Sequence, residues 1–184
     1  SENWNRPVAE IGALMNLLAN SLRKEVNNLI NNNIRFTVIG DIKKFNPQIQ
    51  NELLDAFHKT ETNSGLNLNL ALNYGSRQEI LSATKKLIEK VTLGEIETKD
   101  INENLFSQML TTKDLTDPDL LIRTGGDFRV SNFLLWQIAY TEIHITDRYW
   151  PEFDKQDLMK AIYEYQNRER RFGKLSAQVQ KNNV

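Results

Sequence analysis

The sequence predicts an α/β protein in which helices cover both faces of a parallel sheet. Segments with apolar residues at three- and four-residue spacing alternate along the chain with short apolar runs of strand length. This alternation is typical of strand–helix–strand units, whose crossover helices make neighbouring strands parallel. Most segment boundaries carry glycine, proline or asparagine, which end helices and form turns. In such sheets ligands bind beyond the carboxyl ends of the strands.

The composition limits the classes of protein to which the chain can belong. At 184 residues with a net charge of −1, it suits one domain over residues 1–184 and offers no basic surface for general nucleic-acid binding. The absence of cysteine excludes disulfides, thiolate nucleophiles and Cys-type zinc sites. No apolar run reaches membrane-spanning length, so we expect a cytoplasmic protein, with a frayed tail over residues 174–184.

The chain opens with a predicted helix–strand–helix unit. Pro7 suits the first turn of a helix that the three asparagines of residues 31–33 end. Residues 34–39 form an apolar run of strand length, closed by a glycine. A second helix is then predicted to open at Asn46, because asparagine followed by proline is typical of a helix start.

A strand and two helices are predicted next. Residues 66–72 alternate leucine with asparagine or alanine, which favours a strand. Ser76 and Glu79 form a capping-box pattern at the start of a helix that stops near Gly94. A shorter helix is predicted over residues 104–110.

The last third of the sequence predicts two strands and two helices. Residues 120–122 predict a buried strand, followed by a glycine turn and a helix that opens at Ser131 or Asn132. Residues 142–146 predict a second strand. A final helix is expected over residues 154–172, ending at a glycine.

The turn after the first of these strands has the composition of an anion site. Gly125 and Gly126 permit a sharp turn and a close approach to a ligand. Arg123 and Arg129 flank the turn with permanently charged guanidinium groups that suit phosphate oxygens, and Ser131 can cap a helix whose first N–H groups attract anions. The pattern therefore predicts a phosphate or diphosphate site. A strand-to-helix turn with surface arginines explains it equally well.

Acidic residues offer two further candidate sites. Asp114, Asp117 and Asp119 surround a proline that prevents the single helical face that an aspartate-rich metal motif needs, so a solvated loop is favoured. Glu142 stands at the start of a strand near the arginine-rich turn, where a carboxylate could bind a hard divalent cation. Taken alone, Glu142 is better explained as a surface acid.

The remaining titratable candidates favour structural roles. His58 and His144 lack partners at metal-ligand spacing, so both are expected to be packing or surface residues. Arg168, Arg170 and Arg171 crowd the end of the last helix, where cations complement the helix dipole. An intersubunit role is the alternative for these arginines.

Taken together, these residues resemble the cis-prenyltransferase family, and are most similar to its bacterial members that make undecaprenyl diphosphate. The match covers nearly the whole chain. It rests on residues 1–7 (Ser-Glu-Asn-Trp-Asn-Arg-Pro), 72–77 (Leu-Asn-Tyr-Gly-Ser-Arg), 119–140, Glu142 with 150–153 (Trp-Pro-Glu-Phe), and 167–173 (Asn-Arg-Glu-Arg-Arg-Phe-Gly). Arg-Thr-Gly-Gly followed by Ser-Asn-Phe-Leu-Leu-Trp is the most specific part.

The resemblance implies a Mg²⁺-dependent homodimeric transferase. Such an enzyme repeatedly adds isopentenyl diphosphate to farnesyl diphosphate with cis geometry, which gives an undecaprenyl carrier lipid for cell-wall synthesis. The protein would work in the cytoplasm, with a peripheral position at the inner membrane face as one option, and would deliver its product to the membrane. No nucleic-acid partner is expected.

The resemblance also assigns roles to single residues. Arg123, Arg129, Val130 and Ser131 match the positions that bind isopentenyl diphosphate, and Glu142 matches a metal-site position. The remaining assignments fall in a mobile loop over the active site: Asn3 as the catalytic residue, with Trp4 and Arg6 binding substrate. Because a neutral amide is a poor base, Asn3 is expected to orient the substrate or relay its proton.

One family motif is absent from the sequence. The aspartate in a glycine- and arginine-containing loop after the first strand, which binds the allylic diphosphate and a metal ion, has no counterpart here. We therefore expect the chain to be the C-terminal part of the enzyme, to lack the opening strand or strands of the sheet, and to be inactive alone. The alternatives are a non-catalytic subunit of a heteromeric prenyltransferase and a generic nucleotide-phosphate binder, which the lack of a Gly-x-x-x-x-Gly-Lys pattern weakens.

Overall fold

A computed structural model describes residues 7–170 of the chain. This part contains five α-helices, four β-strands and three single turns of 3₁₀ helix. The helices are α1 (Val8–Asn31), α2 (Pro47–Thr60), α3 (Ser76–Thr92), α4 (Glu103–Ser107) and α5 (Lys155–Gln166). The strands are β1 (Arg35–Ile39), β2 (Asn67–Ala71), β3 (Leu120–Thr124) and β4 (Glu142–Thr146). Every predicted strand is confirmed, and the bounds of β4 match the prediction.

The chain divides into two compact units, one ending at Asp114 and the other beginning at Leu115. Each unit contains one parallel pair of strands, β1 with β2 and β3 with β4. The predicted α/β class and parallel pairing are confirmed. Within residues 7–170, however, the backbone ladders join the strands as two two-stranded sheets. The single domain predicted over residues 1–184 stays a prediction.

The core of the first unit forms where α1 and α2 pack against β1. Three- and four-residue spacing puts the apolar residues of each helix on one face, which the strand covers. Full burial of a leucine such as Leu53 stabilises the fold by about 2 kcal/mol. The buried cluster comprises Ala19, Leu22, Val26, Phe36, Phe45, Ile49, Leu53 and Ala56.

A buried hydroxyl fastens α2 to β1. Thr60 is fully buried, and its Oγ1 donates to the Ala56 carbonyl over 2.8 Å. The same oxygen accepts a hydrogen bond from the Phe36 N–H over 3.1 Å. The phenyl rings of Phe36 and Phe57 stack with centroids 5.4 Å apart. Polar and apolar contacts thus bring the last turn of α2 against the strand.

Three turn and cap signals in the first unit act as predicted. Asn46 caps α2, because its Oδ1 accepts from the Ile49 N–H over 2.9 Å. Gly94 ends α3 with a φ of +73°, a conformation that favours glycine. Gly40 closes β1 at φ +107°, and a Cβ there would lie 2.1 Å from the carbonyl oxygen of Leu72. A side chain at position 40 is therefore excluded by the backbone of the neighbouring strand.

The predicted capping box at Ser76 is wrong. Gly75 is the N-cap residue, and Ser76 is a fully buried first residue of α3. The Glu79 carboxylate instead accepts from the Tyr74 hydroxyl over 2.6 Å and from the Thr111 N–H over 2.8 Å. A buried carboxylate needs strong hydrogen-bond donors, and Thr111 brings one from 32 residues away.

The last helix begins as predicted and ends early. Asp154 caps α5 by accepting from the Gln156 N–H over 2.7 Å. The helix stops at Gln166 instead of running to residue 172. The chain turns there, and the Arg168 side chain reaches the amino end of β4. Residues 171–184, with the predicted glycine stop and frayed tail, lie outside the described residues.

The predicted helix over residues 104–110 is also shorter than expected. Helix α4 spans Glu103–Ser107, and Asn102 caps it by accepting from the Leu105 N–H over 3.0 Å. Among residues 7–170, no helix is long and apolar enough to cross a membrane.

Candidate functional site

The arginine turn, residues 123–131, starts at the carboxyl end of β3. Gly125 and Gly126 have φ values of +84° and +72°. Their N–H groups donate to backbone carbonyls at and just after the end of β4, from Gly125 to Arg148 over 2.8 Å and from Gly126 to Thr146 over 2.9 Å. The glycine pair therefore braces the turn against its neighbour strand, and its N–H groups are engaged within the protein.

Two guanidinium groups meet on one carboxylate oxygen inside the turn. Arg123 donates from Nη2 to Oδ2 of Asp127 over 3.1 Å, and Nη2 of Arg129 donates to the same oxygen. The Nη1 group of Arg123 donates to the Arg129 carbonyl and, over 3.3 Å, to Oγ of Ser131. The structure thus brings together Arg123, Arg129 and Ser131, three of the residues that the sequence selected. Val130 lies between them, half-buried.

The two arginines differ in how firmly they are held. The Arg123 side chain is 24% exposed and that of Arg129 is 64% exposed. Nε of Arg123 is buried and has no hydrogen-bond partner among the described residues. Arg123 is therefore a fixed cation at the base of the turn, whereas Arg129 is a cation on its outer side.

The helix predicted at Ser131 is wrong. Residues 131–140 run through successive turns, with positive φ at Ser131 (46°), Asn132 (58°) and Leu134 (48°). A right-handed helix cannot continue through left-handed residues, and nothing in a serine or a leucine signals that conformation. The N–H groups of a helix start are thus not part of the turn, so its positive charge comes from the arginine side chains.

Glu142 lies at the other end of the strand pair. It begins β4 opposite Leu120, whereas Arg123 is opposite Ile145, so the two positions are about 10 Å apart along the strands. Oε2 of Glu142 accepts from Arg168 over 3.0 Å. The arginine beside Glu142 is therefore Arg168, and the structure does not bring Glu142 to the arginine turn.

The described residues do not by themselves fit a metal ion. Within residues 7–170 there is no group of three or more histidine, cysteine, aspartate or glutamate side chains placed to hold one. At Glu142 the neighbouring group is a guanidinium, which repels a cation. The metal-ligand role of Glu142 stays a prediction.

Ion pairs connect the segment after α5 to the amino ends of β3 and β4. Arg168 donates to the Ile143 carbonyl over 2.9 Å as well as to Glu142. Arg170 donates to the Asp119 carboxylate and, over 3.0 Å, to the Tyr165 hydroxyl. The hydrogen bond to Asp119 raises the pKa of the Arg170 guanidinium above its ordinary value. Arg168 and Arg170 therefore pair with residues at the amino ends of β4 and β3. The sequence had favoured a different role for them, which was to complement the dipole of the last helix.

The remaining candidates are structural or lie outside the described residues. His144 is buried and pairs through Nδ1 with Glu164 over 2.8 Å, and His58 is exposed beside Glu61. Asp114 and Asp117 lie in an exposed loop, as predicted. Asn3, Trp4, Arg6 and Arg171 fall outside residues 7–170.

A polar cleft in the first unit was not among the sites predicted from the sequence. The cleft has a volume of about 560 Å³ at the carboxyl ends of β1 and β2, and Lys43 and Lys86 line it with Asp41 and Glu79. The Lys86 ammonium donates to the Met109 carbonyl over 2.9 Å. The only sequence signal was the position of these residues after two parallel strands.

Comparison with known proteins identifies the class to which this fold belongs. The structure superposes with a TM-score of 0.91 and 36% identity on lavandulyl diphosphate synthase from Lavandula x intermedia, crystallised with dimethylallyl diphosphate, and covers 94% of this chain and 75% of that one. With a probable undecaprenyl diphosphate synthase from Campylobacter jejuni the TM-score is 0.82 at 38% identity, over 94% and 79% of the two chains. The fold is that of the cis-prenyltransferases.

The sequence comparisons specify the family. A family model described as putative undecaprenyl diphosphate synthase matches residues 1–173. The ditrans,polycis-undecaprenyl-diphosphate synthase of Vibrio cholerae, named as farnesyl-diphosphate specific, is 49% identical over 97% of this chain and 72% of its own length. An isoprenyl transferase of Clostridium tetani is 50% identical over 94% and 68%. The chain belongs to the undecaprenyl diphosphate synthase family of prenyltransferases.

Proposed function

We propose that this protein adds isopentenyl diphosphate units with cis geometry to farnesyl diphosphate and so makes undecaprenyl diphosphate, a carrier lipid for cell-wall synthesis. The observation that carries the proposal is the convergence of Arg123 and Arg129 on one anionic oxygen. The Vibrio cholerae relative, named for this synthesis and for farnesyl diphosphate, supports the reaction and the allylic substrate at 49% identity.

The arginine turn is assigned to the diphosphate of isopentenyl diphosphate. Two guanidinium groups can donate several charge-assisted hydrogen bonds to phosphate oxygens, and Ser131 adds a hydroxyl beside Arg123. In the free protein the Asp127 carboxylate takes the place of the anion. Val130 is assigned to the same site by its position between Arg129 and Ser131.

The proposed reaction joins the two substrates head to tail. The bond between the allylic carbon and its diphosphate oxygen breaks, the isopentenyl double bond supplies the electron pair for the new carbon–carbon bond, and a proton leaves the isopentenyl unit. Asn3 is assigned to orient that unit or relay the proton, and Trp4 and Arg6 to bind substrate. Arg123 is a fixed cation, so it can offset negative charge that develops in the transition state without first having to move.

Magnesium belongs to the proposal as the counter-ion of the diphosphates. When bound, a hard divalent cation would supply positive charge against the negative charge that grows on the leaving diphosphate. Glu142 is the candidate protein ligand from the resemblance. The structure provides a competing partner for it in Arg168.

A homodimer and a cytoplasmic position with delivery to the membrane complete the proposal. Both follow from the resemblance. Large apolar side chains on the surface of the second unit are consistent with further contacts, since Trp150 is 74% exposed and Tyr163 68% exposed. A non-catalytic partner subunit is the less favoured function, because such subunits lose the substrate-binding residues that Arg123, Arg129 and Ser131 represent.

Product analysis tests the proposed function. The full-length protein, with any residues that precede Ser1, is incubated with Mg²⁺, farnesyl diphosphate and labelled isopentenyl diphosphate, and the products are separated by chain length. We expect a long polyprenyl diphosphate from the wild type and none from the Arg123→Ala/Arg129→Ala double variant. A properly folded wild-type protein that elongates nothing, yet activates a second prenyltransferase chain, would instead establish the partner-subunit function.

A further inference from the structure

The polar cleft of the first unit lies where ligands bind in parallel sheets, apart from the arginine turn. It has a volume of about 560 Å³ and is lined by the segments that follow β1 and β2, by the amino-terminal half of α3 and by Thr111. Cavities of this size at the carboxyl ends of parallel strands are where α/β proteins bind small molecules. All of the lining residues belong to the first unit, whereas the arginine turn belongs to the second. The cleft is therefore not part of the site already assigned.

Two lysine side chains give the cleft positive charge that no ion pair neutralises. Lys43 and Lys86 both line it, and neither ammonium group pairs with a carboxylate among the described residues. The Lys86 ammonium donates to the Met109 carbonyl over 2.9 Å, which holds it at the wall of the cleft and leaves its other N–H bonds for a ligand. Ammonium groups of this kind bind phosphate oxygens through charge-assisted hydrogen bonds.

The two carboxylates of the cleft already accept hydrogen bonds from the protein. Glu79 is buried, and its oxygens accept from the Tyr74 hydroxyl and from the N–H and hydroxyl of Thr111. Oδ1 of Asp41 accepts from the Lys43 N–H over 3.1 Å. Their negative charge opposes the binding of a bare anion, so a ligand that binds here must also gain hydrogen bonds from neutral groups.

Neutral polar groups form the rest of the lining. Asn73, Gln78, Ser82 and Thr111 bring amide and hydroxyl groups to the cleft, and every side chain that the described residues contribute to it ends in a polar group. An apolar chain would desolvate these groups without replacing their hydrogen bonds. Hydroxyl groups can both donate to and accept from amides and hydroxyls, and a phosphate suits the two ammonium groups.

We propose that this cleft is a second binding site, which takes a small sugar phosphate or polyol phosphate. The phosphate lies between the ammonium groups of Lys43 and Lys86, and the hydroxyl groups of the ligand contact the neutral polar side chains. The inference does not depend on the proposed function, because it uses no residue of the arginine turn.

Lysine acetylation of the full-length protein, mapped by mass spectrometry, tests the inference with controls that the chain itself supplies. Lys43 and Lys86 line the cleft, whereas their exposed sequence neighbours Lys44 and Lys85 do not. Sorbitol 6-phosphate is the probe, and sorbitol is the uncharged comparison. We expect sorbitol 6-phosphate at saturation to slow the acetylation of Lys43 and Lys86 by about threefold or more, and sorbitol to leave it unchanged. Acetylation of Lys44 and Lys85 should not change with either compound.

A charge-removing variant gives a second measurement. Lys43→Met/Lys86→Met keeps the length of both side chains, and calorimetry should show about tenfold weaker binding of sorbitol 6-phosphate. Lys44→Met/Lys85→Met removes the same charge from the neighbouring positions and should bind as the wild type does. Far-UV circular dichroism confirms that each variant is folded, and the acetylation pattern of the wild type decides the question if one is not.

Three outcomes would overturn the proposed site. The first is equal protection of all four lysines, or protection of none, by sorbitol 6-phosphate. The second is equal protection by sorbitol, which would show that the phosphate is not recognised. The third concerns the other cationic site: in Arg123→Ala/Arg129→Ala the protection of Lys43 and Lys86 should persist, and its loss would mean that the probe binds the arginine turn instead.

Discussion

Arg168 donates a hydrogen bond to the Glu142 carboxylate over 3.0 Å at the first residue of β4. The pair is partly exposed, with 34% of the arginine and 28% of the glutamate side chain accessible. Glu142 therefore has two candidate roles: a metal ligand, from the family resemblance, and an anchor for the segment that follows α5, from the structure. Substitutions can separate them.

Glu142→Gln keeps the size of the side chain and removes its charge. If Glu142 binds Mg²⁺ with a substrate diphosphate, the Mg²⁺ concentration needed for half-maximal turnover should rise and the turnover should fall. Arg168→Gln should lower the unfolding temperature without raising the Mg²⁺ requirement. Glu152→Gln is the matched control, since that glutamate is exposed in a different turn. If the Mg²⁺ titrations of Glu142→Gln and the wild type overlay, Glu142 is not a metal ligand. Its role would then be to anchor the segment that follows α5.

Arg129→Ala should weaken the use of isopentenyl diphosphate. Loss of one charge-assisted contact to phosphate costs about 2–3 kcal/mol, or about a hundredfold in kcat/KM. Arg123→Ala should lose more, because Arg123 also holds the Arg129 carbonyl and Ser131. Steady-state kinetics with varied isopentenyl diphosphate measures both. Lys160→Ala removes an equal charge from the exposed face of α5 and should leave kcat/KM unchanged; an unchanged value for Arg129→Ala would contradict the assignment.

Gly40→Ala should destabilise the protein far more than Gly94→Ala. Both glycines have positive φ, so alanine at either costs about 1 kcal/mol of backbone strain. At position 40 the new Cβ would also lie 2.1 Å from the Leu72 carbonyl oxygen, whereas at position 94 nothing lies within 4 Å. We expect the first variant to lose about 3 kcal/mol or more of unfolding free energy. Urea denaturation compares the two variants. Equal losses of unfolding free energy would mean that β1 and β2 can move apart at position 40 at no cost.

Thr60→Val should destabilise the first unit although it preserves the shape of the side chain. The buried Phe36 N–H would lose its acceptor, which costs about 1–3 kcal/mol. Thr60→Ser keeps the hydroxyl and should lose far less, so it is the control. The midpoint of urea unfolding distinguishes the two variants. A valine variant as stable as the wild type would show that the Phe36 N–H finds another acceptor.

The parts of the fold that could be predicted are those decided by neighbouring residues. The alternation of residue types along residues 66–72 predicted β2. The Asn46–Pro47 pair predicted the start of α2, because the capping contact spans only three residues. The Glu79 carboxylate was misassigned because one of its partners, Thr111, lies 32 residues away. Ser131 was misassigned because it and Leu134 adopt a left-handed conformation that neither residue type signals; only Asn132 is of a type that favours it.

The residues of the candidate site divide in the same way, into those that nearby sequence predicts and those whose contacts it does not. Arg123, Arg129 and Ser131 were selected from the sequence, and the structure places them in contact. The shared partner of the arginines, Asp127, was not foreseen, since an aspartate in a glycine turn is ordinary turn composition. The distance of Glu142 from the turn depends on the register of β3 with β4, which residue spacing along one strand cannot reveal.

The bracing of the glycine pair has a consequence for the thermodynamics of ligand binding. Because Gly125 and Gly126 each donate to a backbone carbonyl at or just after the end of β4, the conformational entropy of the turn is lost when the protein folds. A ligand that arrives later orders only side chains, so little of its binding enthalpy is offset by ordering the main chain. The amide protons of both glycines should accordingly exchange slowly with solvent even in the free protein.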